Sequence, residues 1–514
     1  MNGAQRVWPG SRWFAPIRGF VIQMARSSIV YWNKEIPVAK LVALGDSLTQ
    51  GFQSGAIFRT DLSYPALIAR SFGLRVPYEF RVPSFPGSGL PLNLELMLRS
   101  MALTLGPDIG MGEWFFRFPG LLSRFLDEVE DLYERGAGAR PAAFGGVYHN
   151  LAVWGFRVAD AYSVNSDFAR RVIRDEDGSI TDDFLGLPSA SMYRTAIRVL
   201  NPRHRPERES WTMLENLRQI VAEEGVENLI IWLGANDALG TVLSLDLRPM
   251  GREDAGLNPQ ERRRFTLTHP EVFAQDFATL VEELKGILPA STNVFVGTVP
   301  HVTIPPVTQG IPPFDGTYFA YYGRFFQNQS SFNPIFHAKL TGTEAAMIDQ
   351  TINRFNEAII SIVAGSGPRW RSVDLCAVLD QLAVKRNNLS GTPERAIKDY
   401  YARLGIADHA LLRLDPIPNI LRLGTREEGQ RYQGGIFSLD CFHPTTIGYG
   451  IVAEAFLREM RAAGVPDADP MRLNWAEIIA QDTLLQTPPV LWDDIVEAAE
   501  HNSTLWDVIF RALA

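Results

Sequence analysis

In "LVALGDSLTQGF", residues 41–52, an apolar run breaks into Gly45, Asp46 and Ser47, and a hydroxyl appears where a strand should end. A serine hydroxyl is a poor nucleophile at its own pKa, so it needs a base, and the base needs a group to orient it. Asp or Ser after a strand is also an ordinary helix cap. Taken alone, the stretch allows both readings. Histidine is the side chain suited to the base. Of eight histidines, His443 stands in "SLDCFHPTTIGYGIVAEAF", three residues after Asp440, on an irregular segment that feeds a helix. This spacing lets the carboxylate hold one ring nitrogen while the other faces the serine. The plainer reading is a capping Asp beside a surface His. His301, in "TVPHVTIPP" just past a strand, is the one rival base. A tetrahedral intermediate further needs donors aimed at its oxyanion. "WLGANDALG" offers Gly234 and Asn236 after the strongest apolar run, and "NLAVWGF" ends another run on Gly155, whose N–H is a second donor. Each of these is also what an ordinary strand-ending turn looks like.

These residues must be held by strands and helices, and the sequence alternates the two. Short apolar runs begin at Val38, Val147, Asn228, Asn293 and Trp370, each too short for a helix. Amphipathic segments lie between them. "SWTMLENLRQIVAEEG" predicts a helix capped by Ser210 and ended at Gly225. "THPEVFAQDFATLVEELKG" predicts one opened by Thr268 and stopped by Gly286. "GTEAAMIDQTINRFNEAIISIVAG" predicts one capped by Thr343 and closed at Gly365. The alternation implies a three-layer α/β/α sandwich with a mainly parallel central sheet, whose strand C-termini share one edge. Ligands bind at that edge in open α/β sheets. Residues 76–146, 170–208, 239–268, 301–342 and 378–435 fit no such unit and read as insertions on a core spanning 38–465. Residues 1–37 read as an extension and 466–514 as an amphipathic helical tail docked on the body.

Composition narrows the function. The 514 residues carry a formal net charge of −9, which does not suggest a nucleic-acid surface. Two cysteines, Cys376 and Cys441, make no disulfide framework, and scattered histidines offer no plausible ligand cluster, so neither metal nor cofactor is expected. No run approaches the roughly 18–20 apolar residues of a membrane span. "GFVIQMA" from Gly19 is too broken for a signal peptide, Met24 is a candidate start, and the expected compartment is cytoplasmic. Gly-x-Ser-x-Gly, Walker A and His-Glu-x-x-His strings are absent.

Taken together, the ordered blocks resemble the GDSL family of serine hydrolases, also called SGNH. Its first block matches Gly45-Asp46-Ser47-Leu48, its second Gly155 with Asn150 before it, its third Gly234-Ala235-Asn236-Asp237, and its last Asp440 through Pro444. The resemblance implies Ser47 as nucleophile, His443 as base and Asp440 as orienter. It implies an oxyanion hole from the Ser47 and Gly155 N–H groups and the Asn236 amide, with Asp46, Gly234 and Asp237 in support. Ser63-Tyr64-Pro65 is similar to a lipase-like branch. The spacing departs from compact members: Asn236 lies 189 residues after Ser47, and His443 another 207 on.

The expected substrate is a small-molecule or lipid ester. Apolar and aromatic insertions such as "EWFFRFPGLL" and "GTYFAYYGRFF" favour acyl chains if they cap the site, although burial against the core is the commoner use of such residues. A carbohydrate acetylesterase or an acyltransferase would use the same triad, and a non-catalytic binding protein would keep only the core. The insertions or the tail could also meet a membrane surface or a partner.

Overall fold

A computed structural model describes residues 38–106, 117–176, 188, 190–327, 329–383, 393–413, 435–492 and 494. Residues 1–37, with the choice between Met1 and Met24, and the segment "STLWDVIFRALA" lie outside the described residues. A compact unit is formed by Val38–Ala514.

Its centre is a four-stranded parallel sheet. β1 (Val42–Gly45), β4 (Asn228–Trp232), β5 (Asn293–Gly297) and β9 (Trp370–Val373) lie side by side in that order. Alternation along each strand sends side chains to opposite faces. Val42, Leu44, Leu229, Ile231, Val294 and Val296 enter one buried cluster. Leu41, Ala43, Ile230, Trp232, Phe295 and Val373 enter another. Both faces are apolar, so both must be covered, and helices cover them.

The longer helices follow in chain order: α1 (Ser47–Gln50), α2 (Tyr64–Ser71), α3 (Leu94–Leu105), α4 (Phe118–Glu130), α5 (Ser166–Glu176) and α6 (Ser191–Leu200). Next come α7 (Met213–Glu223), α8 (Pro270–Ile287), α9 (Gly342–Ala364), α10 (Leu375–Leu382), α11 (Pro393–Arg403), α12 (Thr446–Ala462) and α13 (Trp475–Gln481). The first face is covered by α7, α8 and α9, through Leu217, Phe277 and Phe355. The second is covered by α2, α12 and α13, through Ile68, Phe456 and Ile478. This is a three-layer α/β/α sandwich.

The structure departs from the sequence expectations in three places. The run at Val147 forms a single parallel bridge, Ala43 to Asn150, instead of a full strand. Past the bridge the Leu151 and Val153 N–H groups still donate to the Ala43 and Gly45 carbonyls at 2.9 and 3.1 Å, while the Asn150 side chain accepts from the Ala152 N–H at 3.1 Å. Helix starts shift because a Thr-x-x-Glu capping box decides them. Thr212 with Glu215, not Ser210, caps α7, and Thr341 with Glu344, not Thr343, caps α9. His269 caps α8, Thr268 turns away to Asp237, and Gly286 lies inside the helix. The segments between the core elements also form small sheets. β2 (Ala56–Ile57) pairs antiparallel with β3 (Leu90–Pro91), and β6 (Thr308–Phe314), β7 (Phe319–Arg324) and β8 (Leu340–Thr341) form a three-stranded antiparallel sheet. The described tail is part of the body: Leu484 and Trp492 are buried in the main cluster, and Asp482 accepts from the Ile447 N–H at 3.0 Å.

Candidate active site

Ser47 is the first residue of α1, immediately beyond β1. The cap is Asp46, whose carboxylate accepts from the Leu48 N–H at 3.0 Å. Gly45 permits the sharp exit, because a Cβ there would sit 2.0 Å from Thr49 Oγ1 and 2.8 Å from the Trp232 carbonyl oxygen. Ser47 is 5% exposed, and its hydroxyl has no hydrogen-bond partner among the described residues.

The loop carrying Gly155 is tied to α1 by side chains. Asn150 Nδ2 donates to the Thr49 carbonyl at 2.8 Å, and the Trp154 N–H donates to Gln50 Oε1 at 2.9 Å. Gly155 has φ +76°, a left-handed conformation that disfavours other residues, and a Cβ there would meet Met192 Sδ at 2.9 Å. The turn after β4 reaches the same loop. Asn236 Nδ2 donates to the Phe156 carbonyl at 3.0 Å. Asp237 accepts from the Val158 N–H at 3.2 Å and from Thr268 Oγ1 at 2.7 Å. Asn236 thus stands beside Gly155, while Asp237 holds the backbone of both loops.

The last block folds into a tight turn. His443 Nδ1 lies 3.0 Å from Asp440 Oδ2. Asp440 also accepts from the N–H groups of Gly55 (2.8 Å), His443 (2.9 Å) and Phe442 (3.1 Å), and from Ser438 Oγ (3.2 Å). Burial opposes its charge, but the His443 ring and these N–H donors outweigh burial and hold the carboxyl below its usual range. Cys441 takes a left-handed φ of +68° between the two, unusual for a non-glycine residue. The imidazole is packed between Phe52 and Phe442, with ring centroids 4.2 and 4.1 Å away. Since the Phe52 N–H bonds to the Ser47 carbonyl at 3.0 Å, the same residue that stacks on His443 ends the Ser47 turn.

Several residues here carried no sequence signal. Gly55 and Ser438 hold Asp440. Ser54 bridges them: its N–H donates to Ser438 Oγ at 2.8 Å and its hydroxyl to buried Glu95 at 2.8 Å. Proximity of Ser438 to the last block was the available hint. Glu95, 345 residues before Asp440, offered none. Two carboxyl groups are pushed up, chiefly by burial: Asp46 to about 7, with Asp237 adding repulsion, and Asp237 to about 6 despite Arg157.

His301 is placed differently. Its Nδ1 lies 2.9 Å from Asp380 Oδ1 and 3.3 Å from Cys376 Sγ, and its Nε2 lies 2.9 Å from Asn353 Oδ1. Burial opposes a charge on this ring, yet the bonds to Asp380 and Cys376 prevail and raise it to about 10. The expectation that histidines and cysteines are scattered fails here, because folding joins residues 75 apart. A cavity of about 280 Å³, lined by Arg140, Arg170, Arg174, Arg194 and Arg198 among others, borders none of Ser47, Gly155, Asn236, Asp440 or His443.

The sequence model of the GDSL-like lipase/acylhydrolase family matches residues 41–456, so the chain belongs to that family, whose general reaction is ester hydrolysis. No curated protein matches the chain, and no solved structure does. Among the described residues, no helix is long and apolar enough to cross a membrane.

Proposed function

We propose that the chain is a serine esterase acting on acyl esters, with Ser47 as nucleophile, His443 as base and Asp440 as its orienter. Ser47 Oγ attacks the ester carbonyl carbon as His443 Nε2 takes its proton. The N–H groups of Ser47 and Gly155 and the Asn236 amide receive the oxyanion. His443 then protonates the leaving alcohol, and water repeats the sequence on the acyl-enzyme. One observation carries this reading: Asp440 is fixed by donors from its own turn and from Gly55, and commits His443 Nδ1 to itself. Nε2 is the nitrogen left for proton transfer, and it has no hydrogen-bond partner among the described residues. Asn236 spends one of its two amide N–H groups on Phe156 and keeps the other for an oxyanion.

An apolar acyl group is supported by what surrounds the imidazole. Phe52, Phe442 and Trp154 form an aromatic shell, with Phe52 edge-on to Trp154 at 5.7 Å. The apolar helix α3 is bound close by through Glu95, which accepts from Gln53 Nε2 at 2.8 Å. A series of p-nitrophenyl esters from acetyl to palmitoyl, run beside Ser47→Ala and with fluorophosphonate labelling, tests the reading. The expected results are labelling at Ser47, loss of turnover in the variant, and higher kcat/KM for longer acyl chains. Wild-type turnover in Ser47→Ala, or a wild-type protein that neither labels nor turns over, overturns the catalytic assignment. Preference for acetyl overturns the acyl-chain assignment and favours a carbohydrate acetylesterase.

A further inference from the structure

At the carboxyl ends of β5 and β9, outside the Ser47 site, three electron-rich atoms of different chemistry converge. His301 follows β5, and Cys376 and Asp380 lie four apart on α10, hence on one face of that helix. His301 Nδ1, Cys376 Sγ and an Asp380 carboxylate oxygen all lie within 4.8 Å of one another. Both Asp380 oxygens approach Nδ1, at 2.9 and 3.0 Å, and the sulfur approaches it at 3.3 Å. A single proton on Nδ1 cannot be directed at three acceptors at once, whereas a cation held among them can meet all three.

The surroundings have the form of a ligand shell. Asn353 on α9 presents Oδ1 to His301 Nε2 at 2.9 Å, which places the ring proton on Nε2 and turns the Nδ1 lone pair toward the sulfur and the carboxylate. An outer carbonyl that fixes the tautomer in this way is characteristic of metal-bound histidine. On the other side, the Cys376 N–H is held by Thr298 Oγ1 at 2.9 Å, and Thr298 Oγ1 donates to Asp374, the cap of α10, at 3.1 Å. These bonds fix the start of the helix that carries the sulfur. His301 and Cys376 are buried, while the Asp380 side chain is 26% exposed and leaves a route in from solvent.

We propose that His301 Nδ1, Cys376 Sγ and Asp380 bind a zinc-type divalent cation that joins the loop after β5 to α10. A thiolate, a carboxylate and a neutral imidazole balance two positive charges. Mixed sulfur, nitrogen and oxygen donors suit zinc and not magnesium or calcium, which take oxygen. Tetrahedral bonds to such a set separate the donors by about 3.3–3.6 Å, so the two separations from Nδ1, now 2.9 Å to the carboxylate and 3.3 Å to the sulfur, need to change by only a few tenths of an ångström. Because the cation binds the folded chain, it stabilises the fold by mass action. The inference does not depend on the Ser47 mechanism, and no catalytic step passes through the ion.

Cobalt and zinc titrations of the full-length chain test it. With Co²⁺, one equivalent should produce a thiolate-to-metal charge-transfer band that is absent in Cys376→Ala. With Zn²⁺, competition against a chromophoric chelator should give one site, weakened about 10–100-fold by Asn353→Ala and more by Asp380→Asn. Buffered zinc should raise the Tm of the wild type and not that of Cys376→Ala. Circular dichroism spectra matching the wild type establish that the variants are folded. A folded wild type with no charge-transfer band, or with zinc affinity equal to that of Cys376→Ala, overturns the proposal and leaves a hydrogen-bonded cluster held by a proton.

Discussion

At His443 the partner carboxylate is saturated by its own neighbourhood: three backbone N–H groups and a serine hydroxyl hold Asp440, and only Nδ1 of the ring is engaged. At His301 the ring itself is saturated, with Nδ1 against Asp380 and Cys376 and Nε2 against Asn353. Both pairs lie beyond the carboxyl ends of parallel strands or just before a helix. The difference separates the two pairs chemically: the first leaves Nε2 open to a substrate, as the proposed base requires, and the second does not. With both nitrogens committed to neighbouring side chains, His301 has none left to exchange a proton with a substrate.

The sharpest break in this comparison is exchange of the two histidines' roles. His443→Ala should lower kcat on p-nitrophenyl esters by about 10⁶, with His301→Ala retaining turnover. Activity lost at His301 and kept at His443 would invert the assignment. Next in size is the carboxylate. Asp440→Asn should cost about 10⁴ in kcat, because an amide donating to Nδ1 enforces the wrong tautomer, whereas Asp380→Asn should leave kcat in place. Equal losses at the two sites would show that both act through stability, a point that thermal melts would settle. Smaller again, Asn236→Ala should reduce kcat by about 10²–10³ with little change in KM, since its amide serves the oxyanion and not the ground state.

The smallest effect is on stability and concerns Asp46, on the Ser47 side of the edge. Its folded pKa, about 7, lies above the ordinary 3.8, so the folded state favours the protonated form. That contribution is fully present below about pH 3.8 and is lost as pH rises through 7. Asp46→Asn keeps an oxygen for the cap and removes the ionisation. Its Tm should therefore gain on the wild type between pH 5 and pH 8, as read by paired melts. A constant difference over that range would mean that Asp46 stays ionised throughout.

Much of the site was legible because its members are local. Asp440 and His443 are three residues apart and need only one turn to meet, and Ser47 and Asn236 each directly follow an apolar strand. The capping boxes Thr212–Glu215 and Thr341–Glu344 are equally legible in the sequence, because a reciprocal Thr-x-x-Glu pair marks a helix start that a lone Ser210 or Thr343 does not. The run at Val147 reads as a strand by composition, and it follows β1 through the Leu151 and Val153 N–H groups, yet it makes only a single bridge with β1.

The sequence by itself determined the four strands of the parallel sheet and the residues that end them, because apolar patterning and turn chemistry act over a few neighbours. Only the tertiary structure decided what those ends meet. Glu95 and Ser54 hold the Asp440 turn across hundreds of residues, and His301, Cys376, Asp380 and Asn353 come from three separate elements. Such contacts leave no local pattern. They are set by strand order and helix packing, which bring distant segments to within bonding distance.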